Sequence, residues 1–170
     1  MIKKNRLKNI FIDMLVIAGT LLFINFIAQL AITCGDSMNN TLHDGDILIT
    51  EKITKNFKNN NYERYDVIIF EPKDKKEKYY IKRIIGLPGE TISISNGDIY
   101  INNEIINESY GKEKMKDDGN AIEEYTLKED EFFVLGDNRN NSLDSRYIGP
   151  VKKEQILSRA VFNVFDFRKP

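Results

Sequence analysis

The chain has 170 residues, 41% of them hydrophobic and 30% charged, which suits one globular domain of about 100–150 residues with a short appendage. Its formal net charge of −1 lacks the basic surplus with which proteins neutralise phosphates, so we expect no nucleic acid partner. One cysteine, Cys34, excludes an intramolecular disulfide. One Cys and one His also leave no transition-metal ligand set of the usual spacing, so we expect no metal and no cofactor.

The N-terminal segment combines a basic start with a long apolar run that carries no charge from residue 14 to residue 32. About 20 apolar residues match the ~30 Å hydrocarbon core of a bilayer, so we predict a transmembrane helix over residues 11–33. The positive-inside rule then makes residues 1–10 cytoplasmic and places residues 34–170 outside the cell membrane. Two alternatives are a cleaved secretory signal, although residues 32–35 fit a cleavage site poorly, and a buried core helix.

From Gly45 onward the pattern changes to short runs of β-branched and aromatic residues. Strands are predicted over residues 46–53, 65–71, 79–85, 91–95, 98–102, 131–135 and 157–165. The Asn96-Gly97 dipeptide between two alternating runs predicts a hairpin with a type I′ turn. Residues 108–124 have no apolar period and are predicted to form an exposed, mobile excursion within a variable insertion at residues 105–128. The resulting fold class is mainly β, with antiparallel sheets behind one N-terminal α-helix.

Ser37 is the candidate nucleophile, in a stretch that begins where the apolar segment stops. A serine hydroxyl needs a base to take its proton. The single histidine, His43, lies in a polar turn and is typical of a solvated loop residue. Lys82 lies in an otherwise apolar strand, where burial can lower a lysine pKa toward neutrality, although a solvent-facing lysine is an equally open interpretation. Cys34 paired with His43 is a further alternative, against which a small apolar filler at Cys34 is favoured.

Four motifs occur in order along the chain. They are Gly35-x-Ser37-Met38-x-x-Thr41-Leu42, Gly45-Asp46-Ile47, Lys82-Arg83-Ile84-Ile85-Gly86-Leu87-Pro88-Gly89-Glu90 and Gly136-Asp137-Asn138-Arg139-x-Asn141-Ser142-x-Asp144-Ser145-Arg146. Their order and spacing resemble the signature boxes of bacterial type I signal peptidases of the Gram-positive type, peptidase family S26. The resemblance covers the whole chain except residues 108–124.

The resemblance implies an antiparallel β catalytic domain of the signal-peptidase/LexA-like kind, with one N-terminal transmembrane helix. It also implies a Ser-Lys dyad that cuts secretory signal peptides after a small residue at the outer membrane surface. Carried over by position, Ser37 would be the nucleophile and Lys82 the general base. Ser142 would hydrogen-bond to the lysine and orient it, and Asp144 and Arg146 would support the site. As a surface ion pair, those last two would contribute only about 0–1 kcal/mol.

Gly35 and Met38 are further supporting positions that the resemblance implies. Some relatives carry a serine at the position of Gly35, so here the backbone N–H of Ser37 is the expected oxyanion donor. Met38 is expected to pack and, by family analogy, to touch substrate or lipid. The implied partners are secretory preproteins and membrane lipid. Asn40 departs from the family, which usually has a proline there, so we expect a less rigid loop and a narrower or slower enzyme.

Two other classes of protein remain open from the sequence. One is a non-cleaving or specialised assembly factor, for example for pilins, that binds secreted precursors. The other is a self-cleaving regulator like the LexA repressor family, which should carry a DNA-binding helical domain where this chain has its apolar segment. The retained Ser37 and Lys82 argue against the first, and residues 1–32 argue against the second.

Overall fold

The computed structural model describes residues 2–52, 62–73, 78–111, 113–119 and 123–164. In this part of the chain, the strands of the larger sheet are β1 (Ala28–Ile32), β2 (Ile47–Glu51), β3 (Val67–Phe70), β4 (Tyr80–Gly86), β9 (Glu131–Leu135), β10 (Val151–Lys152) and β11 (Ile156–Asn163). The smaller sheet contains β5 (Thr91–Ser95), β6 (Asp98–Ile101), β7 (Glu104–Ile105) and β8 (Tyr125–Thr126). The helices are α1 (Ile2–Ile27), the single turn α2 (Ser145–Ile148) and a 3₁₀ turn over Lys153–Gln155.

Both sheets are antiparallel, which confirms the predicted mainly β fold. The strand order is β1-β2-β11-β3-β4-β9-β10 in the larger sheet and β7-β6-β5-β8 in the smaller one. All seven predicted strands are present, with ends that differ by up to two residues wherever both ends are described. Ile53 and Phe165, which end two of the predicted strands, lie outside the described residues.

The N-terminal helix begins and ends earlier in the chain than the sequence predicts. We expected helix over residues 11–33, but α1 ends at Ile27 and the next five residues form β1. These residues pair with β2 from Ala28↔Glu51 to Ile32↔Ile47, and the Ile27 carbonyl accepts from the Lys52 N–H, so the chain enters the sheet directly from the helix. Within the part of the chain that the structure describes, none of the helices combines the length and apolar character needed to cross a bilayer.

The strands β4 and β9 lie at the centre of the core because both of their faces are buried. Ile84 and Val134 enter one apolar cluster with Ile68, Phe70 and Ile156. The residues that follow them in sequence point the other way, into a second cluster filled mainly by isoleucines of the smaller sheet. Strands that are covered on both faces have continuous apolar sequences, which is the pattern of residues 132–135.

The β5–β6 hairpin confirms the turn predicted from its sequence. Asn96 and Gly97 have φ values of 52° and 78°, as a type I′ turn requires. Gly97 also has no room for a side chain, because a Cβ there would lie 2.6 Å from the carbonyl oxygen of Met115. The turn therefore lies directly against the segment that we expected to be a mobile excursion.

The excursion predicted over residues 108–124 is exposed over much of its described part, as expected, but it is anchored to the domain. We call residues 108–111 and 113–119 the strap; residues 112 and 120–122 lie outside the described residues. Met115 is only 6% exposed and joins the cluster of the smaller sheet. Asn140 donates to the Lys114 carbonyl and accepts from the Lys116 N–H. The strap is therefore held by one apolar anchor and by polar ties to the loop that follows β9, which its polar composition does not reveal.

The pair formed by Asp144 and Arg146 is buried, so its interpretation as a surface ion pair is wrong. The two side chains are 0% and 1% exposed. Two Arg146 nitrogens lie 2.8 and 2.9 Å from the Asp144 carboxylate, which also accepts the Gly136 N–H and caps α2 through the Arg146 N–H. Breaking one side of a buried pair leaves the other charge without compensation, which typically costs about 3–5 kcal/mol.

Replacing Asp144 is expected to destabilise the protein strongly. In Asp144→Asn, the Arg146 guanidinium loses its buried counter-charge, so we expect the free energy of unfolding to fall by about 3–5 kcal/mol in a denaturant titration. The matched control is Asp98→Asn, which breaks an exposed pair with Lys114 and should change the free energy by about 0–1 kcal/mol. Equal effects of the two substitutions would contradict the structural role assigned to Asp144.

Candidate active site

Ser37 lies in the loop between β1 and β2, and short-range hydrogen bonds hold this loop closed. The carbonyl of Met38 accepts from the N–H groups of Thr41 and Leu42 at 3.0 and 2.9 Å. Met38 and Leu42 are 4% and 6% exposed and pack on Leu48 of β2. The apolar residues of the motif therefore anchor the loop in the core, so that the neighbouring Ser37 is presented at the surface of the domain.

Lys82 lies in the middle of β4, opposite Ile68 of β3. Its side chain is 4% exposed, so this lysine does not face solvent. The Lys82 Nζ lies 2.6 Å from the Ser37 Oγ and donates to the carbonyl of Ile81 at 3.0 Å. The structure thus brings together two residues that are 45 positions apart in the sequence.

Burial lowers the pKa of Lys82 to about 8, because a charged ammonium loses most of its solvation inside the domain. The carboxylates of Asp144 and Asp137 act in the opposite direction and raise this pKa. The amine is consequently neutral in a substantial fraction of molecules near physiological pH, whereas a solvated lysine is almost fully protonated.

Ser142 is close to this pair but does not make the hydrogen bond expected of it. Its Oγ is buried and has no hydrogen-bond partner among the described residues. The amine of Lys82 is directed instead to Ser37 and to the Ile81 carbonyl. The surroundings of Ser142 are crowded, since a Cβ at Gly136 would lie 2.2 Å from the Ser142 Oγ and 2.5 Å from the Ser37 carbonyl oxygen. Close approach of the two loops therefore requires glycine at position 136.

The other candidates from the sequence take different positions. The Gly35 N–H donates to the Asp44 carboxylate at 2.8 Å, and Cys34 is exposed in the wall of the cleft described below. His43 has a side chain that is 59% exposed and lies near Asp46, so Lys82 rather than His43 is the basic group beside Ser37. Among the described residues, no three His, Cys, Asp or Glu side chains are grouped in a way that could hold a metal ion.

A buried ion pair next to Lys82 was not anticipated from the sequence. Arg83 donates two hydrogen bonds, of 2.9 and 2.6 Å, to the Asp137 carboxylate, and the two side chains are 5% and 0% exposed. The pair joins β4 to the loop after β9. An arginine in an apolar strand was the available signal, because a buried guanidinium requires a carboxylate partner.

The dyad faces a cleft of about 890 Å³. Its walls come from β1, the Ser37 loop, β4 and the loop after β9, and include Gln29, Leu30, Ile32, Ser37, Met38, Tyr79, Ile81, Lys82 and Leu143. This arrangement combines a nucleophile, an adjacent base of lowered pKa and an open apolar groove, which are the elements of covalent acyl transfer.

Comparison with known proteins gives the family. The profile of the family described as signal peptidase, peptidase S26, matches residues 4–165. Signal peptidase I of Bacillus caldolyticus is 34% identical over 94% of this chain and 90% of its own length. The probable signal peptidase I-2 of Synechocystis sp. is 37% identical over 79% of this chain, which spans only 62% of that relative's length.

A solved structure supports the same assignment. The crystal structure of a signal peptidase I from Enterococcus faecalis is 32% identical and superposes with a TM-score of 0.51, covering 59% of this chain and 97% of the other. Sequence and fold therefore agree, and the resemblance inferred from the four motifs is confirmed. The chain belongs to the signal peptidase family, peptidase S26, and is by that membership a peptidase that acts on signal peptides.

Proposed function

We propose that this protein removes signal peptides from secretory preproteins, with Ser37 as the nucleophile and Lys82 as the general base. The observation that carries the proposal is the separation of 2.6 Å between the Ser37 Oγ and the buried Lys82 Nζ on the wall of the cleft. A general base needs to lie within about 2.6–3.2 Å of the atom whose proton it removes, so this pair needs no rearrangement.

The reaction follows from these positions. The neutral Lys82 amine accepts the Ser37 proton while the Ser37 Oγ attacks the scissile carbonyl carbon. The ammonium so formed donates its proton to the leaving amine, which departs as the new N-terminus of the mature protein. The acyl-enzyme ester is then hydrolysed by a water molecule that the neutral amine deprotonates, which returns Ser37 to its starting state.

The oxyanion of the tetrahedral intermediate requires a hydrogen-bond donor close to Ser37. The Ser37 N–H donates to no acceptor within the described residues, whereas the Gly35 N–H is already bonded to Asp44. A preorganised oxyanion donor typically contributes about 3–4 kcal/mol. The backbone of Ser37 is thus the donor that the loop supplies.

The edge of β4 offers a place for an extended substrate. Pairing of β4 with β9 begins at Arg83, so among the described strands Ile81 pairs only with β3. A signal peptide that adds as a strand beside Ile81 would bring its backbone past the dyad. Ile81 and Met38 both line the cleft, and in this proposal the bulk of their side chains leaves room only for small substrate side chains.

The N-terminal helix supplies the membrane attachment in this proposal. Large apolar side chains are more than two-fifths exposed at nearly every apolar position from Ile10 to Ile17, and Leu21 and Leu22 are 62% and 72% exposed. A helix that is apolar on all sides is stable where lipid or protein covers it. Residues 1–10 would lie in the cytoplasm and the β domain outside, because the basic residues of this segment precede its apolar run.

Removing either member of the dyad should abolish cleavage. For Ser37→Ala and Lys82→Met we expect kcat/KM on a detergent-solubilised preprotein to fall at least ~10³-fold, because nucleophile and base act as a unit. Product N-termini are read by sequencing. The matched controls are Ser93→Ala on β5 and Lys152→Met on β10, neither of which lines the cleft, and both should cut at the wild-type rate. Cleavage retained in Lys82→Met would refute its role as base. A wild-type chain that binds preproteins without cutting them would be an assembly factor.

The rate should also depend on pH through Lys82. With a pKa lowered to about 8 by burial, the active neutral amine is lost as pH falls. Below pH 8, kcat/KM should decrease about tenfold per pH unit, and above it the rate should level off. A profile measured from pH 6 to 9.5 tests this, with His43→Ala expected to leave it unchanged. A profile whose midpoint changes in His43→Ala would identify a different base.

Membrane attachment can be tested by fractionation. The full chain should sediment with membranes, should not be extracted by alkaline carbonate and should be solubilised by detergent, because only detergent replaces lipid around an apolar helix. Deleting residues 2–27 should move the protein to the supernatant. A reporter fused after Pro170 should be active only outside the cytoplasm; cytoplasmic activity would contradict the orientation.

A further inference from the structure

The Ser37 loop is tied to the loop after β9 by hydrogen bonds on both sides of the nucleophile. On the N-terminal side, the Asn138 N–H donates to the Ser37 carbonyl at 3.0 Å, and the Asn138 side chain donates to the Asp36 carbonyl at 3.1 Å. These bonds hold the backbone of Ser37 itself, but they do not restrain the residues that follow it.

On the C-terminal side, the tie is made by the side chain of Asn40. Its amide nitrogen donates to the Asp137 carbonyl at 3.0 Å and to the Tyr110 carbonyl at 3.3 Å. Both amide hydrogens are therefore used, and both acceptors are backbone groups of other segments, 70 and 97 positions away in sequence. Arg83 makes a second link between the same segments, since it donates to the Thr41 Oγ1 at 3.3 Å and lies against the ring of Tyr110.

The two acceptors belong to the surroundings of Lys82. The Asp137 carboxylate holds Arg83, the residue next to Lys82 on β4. The ring of Tyr110 covers the same arginine, with its centroid 3.7 Å from the guanidinium carbon. Asn40 thus connects the Ser37 loop to the two groups that fix Arg83, and through the backbone of β4 to Lys82.

We propose that Asn40 is a positioning residue that holds Ser37 in register with Lys82, and that it does so by locking the strap onto the loop after β9. This inference rests on the proposed function and extends it to a residue that touches neither Ser37 nor Lys82 in the described hydrogen bonds. The strap thereby becomes part of the catalytic framework instead of a mobile insertion.

The backbone of Asn40 makes this arrangement specific to the present chain. Its φ is 154°, whereas a proline ring fixes φ at about −65°. Proline therefore cannot enter this loop in its present conformation, although it is the residue that the signal peptidase resemblance leads one to expect at position 40. In this proposal the two side-chain hydrogen bonds restrain the loop in place of the proline ring, whereas the sequence led us to expect a less rigid loop.

The test compares Asn40→Asp, Asn40→Ala and Asn40→Pro with the matched control Asn39→Ala. Asn39 is the same residue type in the same loop, and its side chain makes no hydrogen bond within the described residues. Aspartate keeps the shape of asparagine but presents acceptors to two carbonyl oxygens.

We expect kcat to fall about 10- to 100-fold in the three Asn40 variants with KM within about twofold, since misplacement of a nucleophile affects the chemical step. Asn39→Ala should match wild type.

Hydrogen exchange separates this proposal from the proposed function. The amides of Asn39, Thr41 and Leu42 should exchange about tenfold faster in Asn40→Asp and Asn40→Ala than in wild type, and strap amides should follow, because two of their ties are lost. Exchange at β4 should be unchanged, which excludes general destabilisation. If wild type does not cleave, the function fails while the exchange result still decides whether Asn40 locks the loop. Wild-type exchange and kcat in Asn40→Asp, or a fully active Asn40→Pro, would overturn the inference.

Discussion

The structure depends on keeping one lysine amine buried beside one serine hydroxyl. Lowering the pKa of Lys82 from 10.5 to about 8 means that the charged form is disfavoured by roughly 3 kcal/mol relative to water, since one pKa unit corresponds to about 1.4 kcal/mol. The domain tolerates this cost because β4 is held in the sheet by β3 along the stretch that includes Lys82 and by β9 from Arg83 onward. The desolvation of the Lys82 amine is what makes it a base near neutral pH.

Keeping Lys82 beside Ser37 requires several segments that are distant in sequence to meet, and buried ion pairs fix where they meet. Arg83 next to Lys82 pairs with Asp137, and Arg146 pairs with Asp144, which also binds the backbone at Gly136. Each pair requires close geometry because an unpaired charge in the interior is far more costly than an unmade surface contact. The loop after β9 therefore has little freedom, and the Ser37 loop is hydrogen-bonded directly to it.

The strap extends this network beyond the family motifs. Its Met115 is buried in the cluster of the smaller sheet, and Glu108 lies 2.6 Å from a nitrogen of the buried Arg139. Tyr110 stacks on Arg83 and accepts from Asn40. A segment whose composition is that of a solvated loop thus covers the polar interior behind the active site, where it keeps water away from the ion pairs.

Local pattern and motif were enough to determine a good part of this protein. Alternation gave the strands, Asn96-Gly97 gave the hairpin turn, and four ordered motifs indicated the family and nominated Ser37 and Lys82. These features are local or follow from fixed spacing, so they can be read without knowing which segments touch. The end of α1 could not be read in this way, because residues 28–32 are apolar enough for a helix and become a strand only by pairing with β2.

Tertiary structure alone decided the remaining features. Whether Lys82 faced solvent or Ser37 depended on which loop covered β4, and whether Asp144 and Arg146 lay on the surface depended on what packed over them. The orphaned hydroxyl of Ser142 and the bridging amide of Asn40 are likewise matters of contact between segments far apart in sequence. The burial of a side chain and its hydrogen-bond partners are properties of the packed chain. The residue type at one position does not determine them, because they depend on which residues are its neighbours in space.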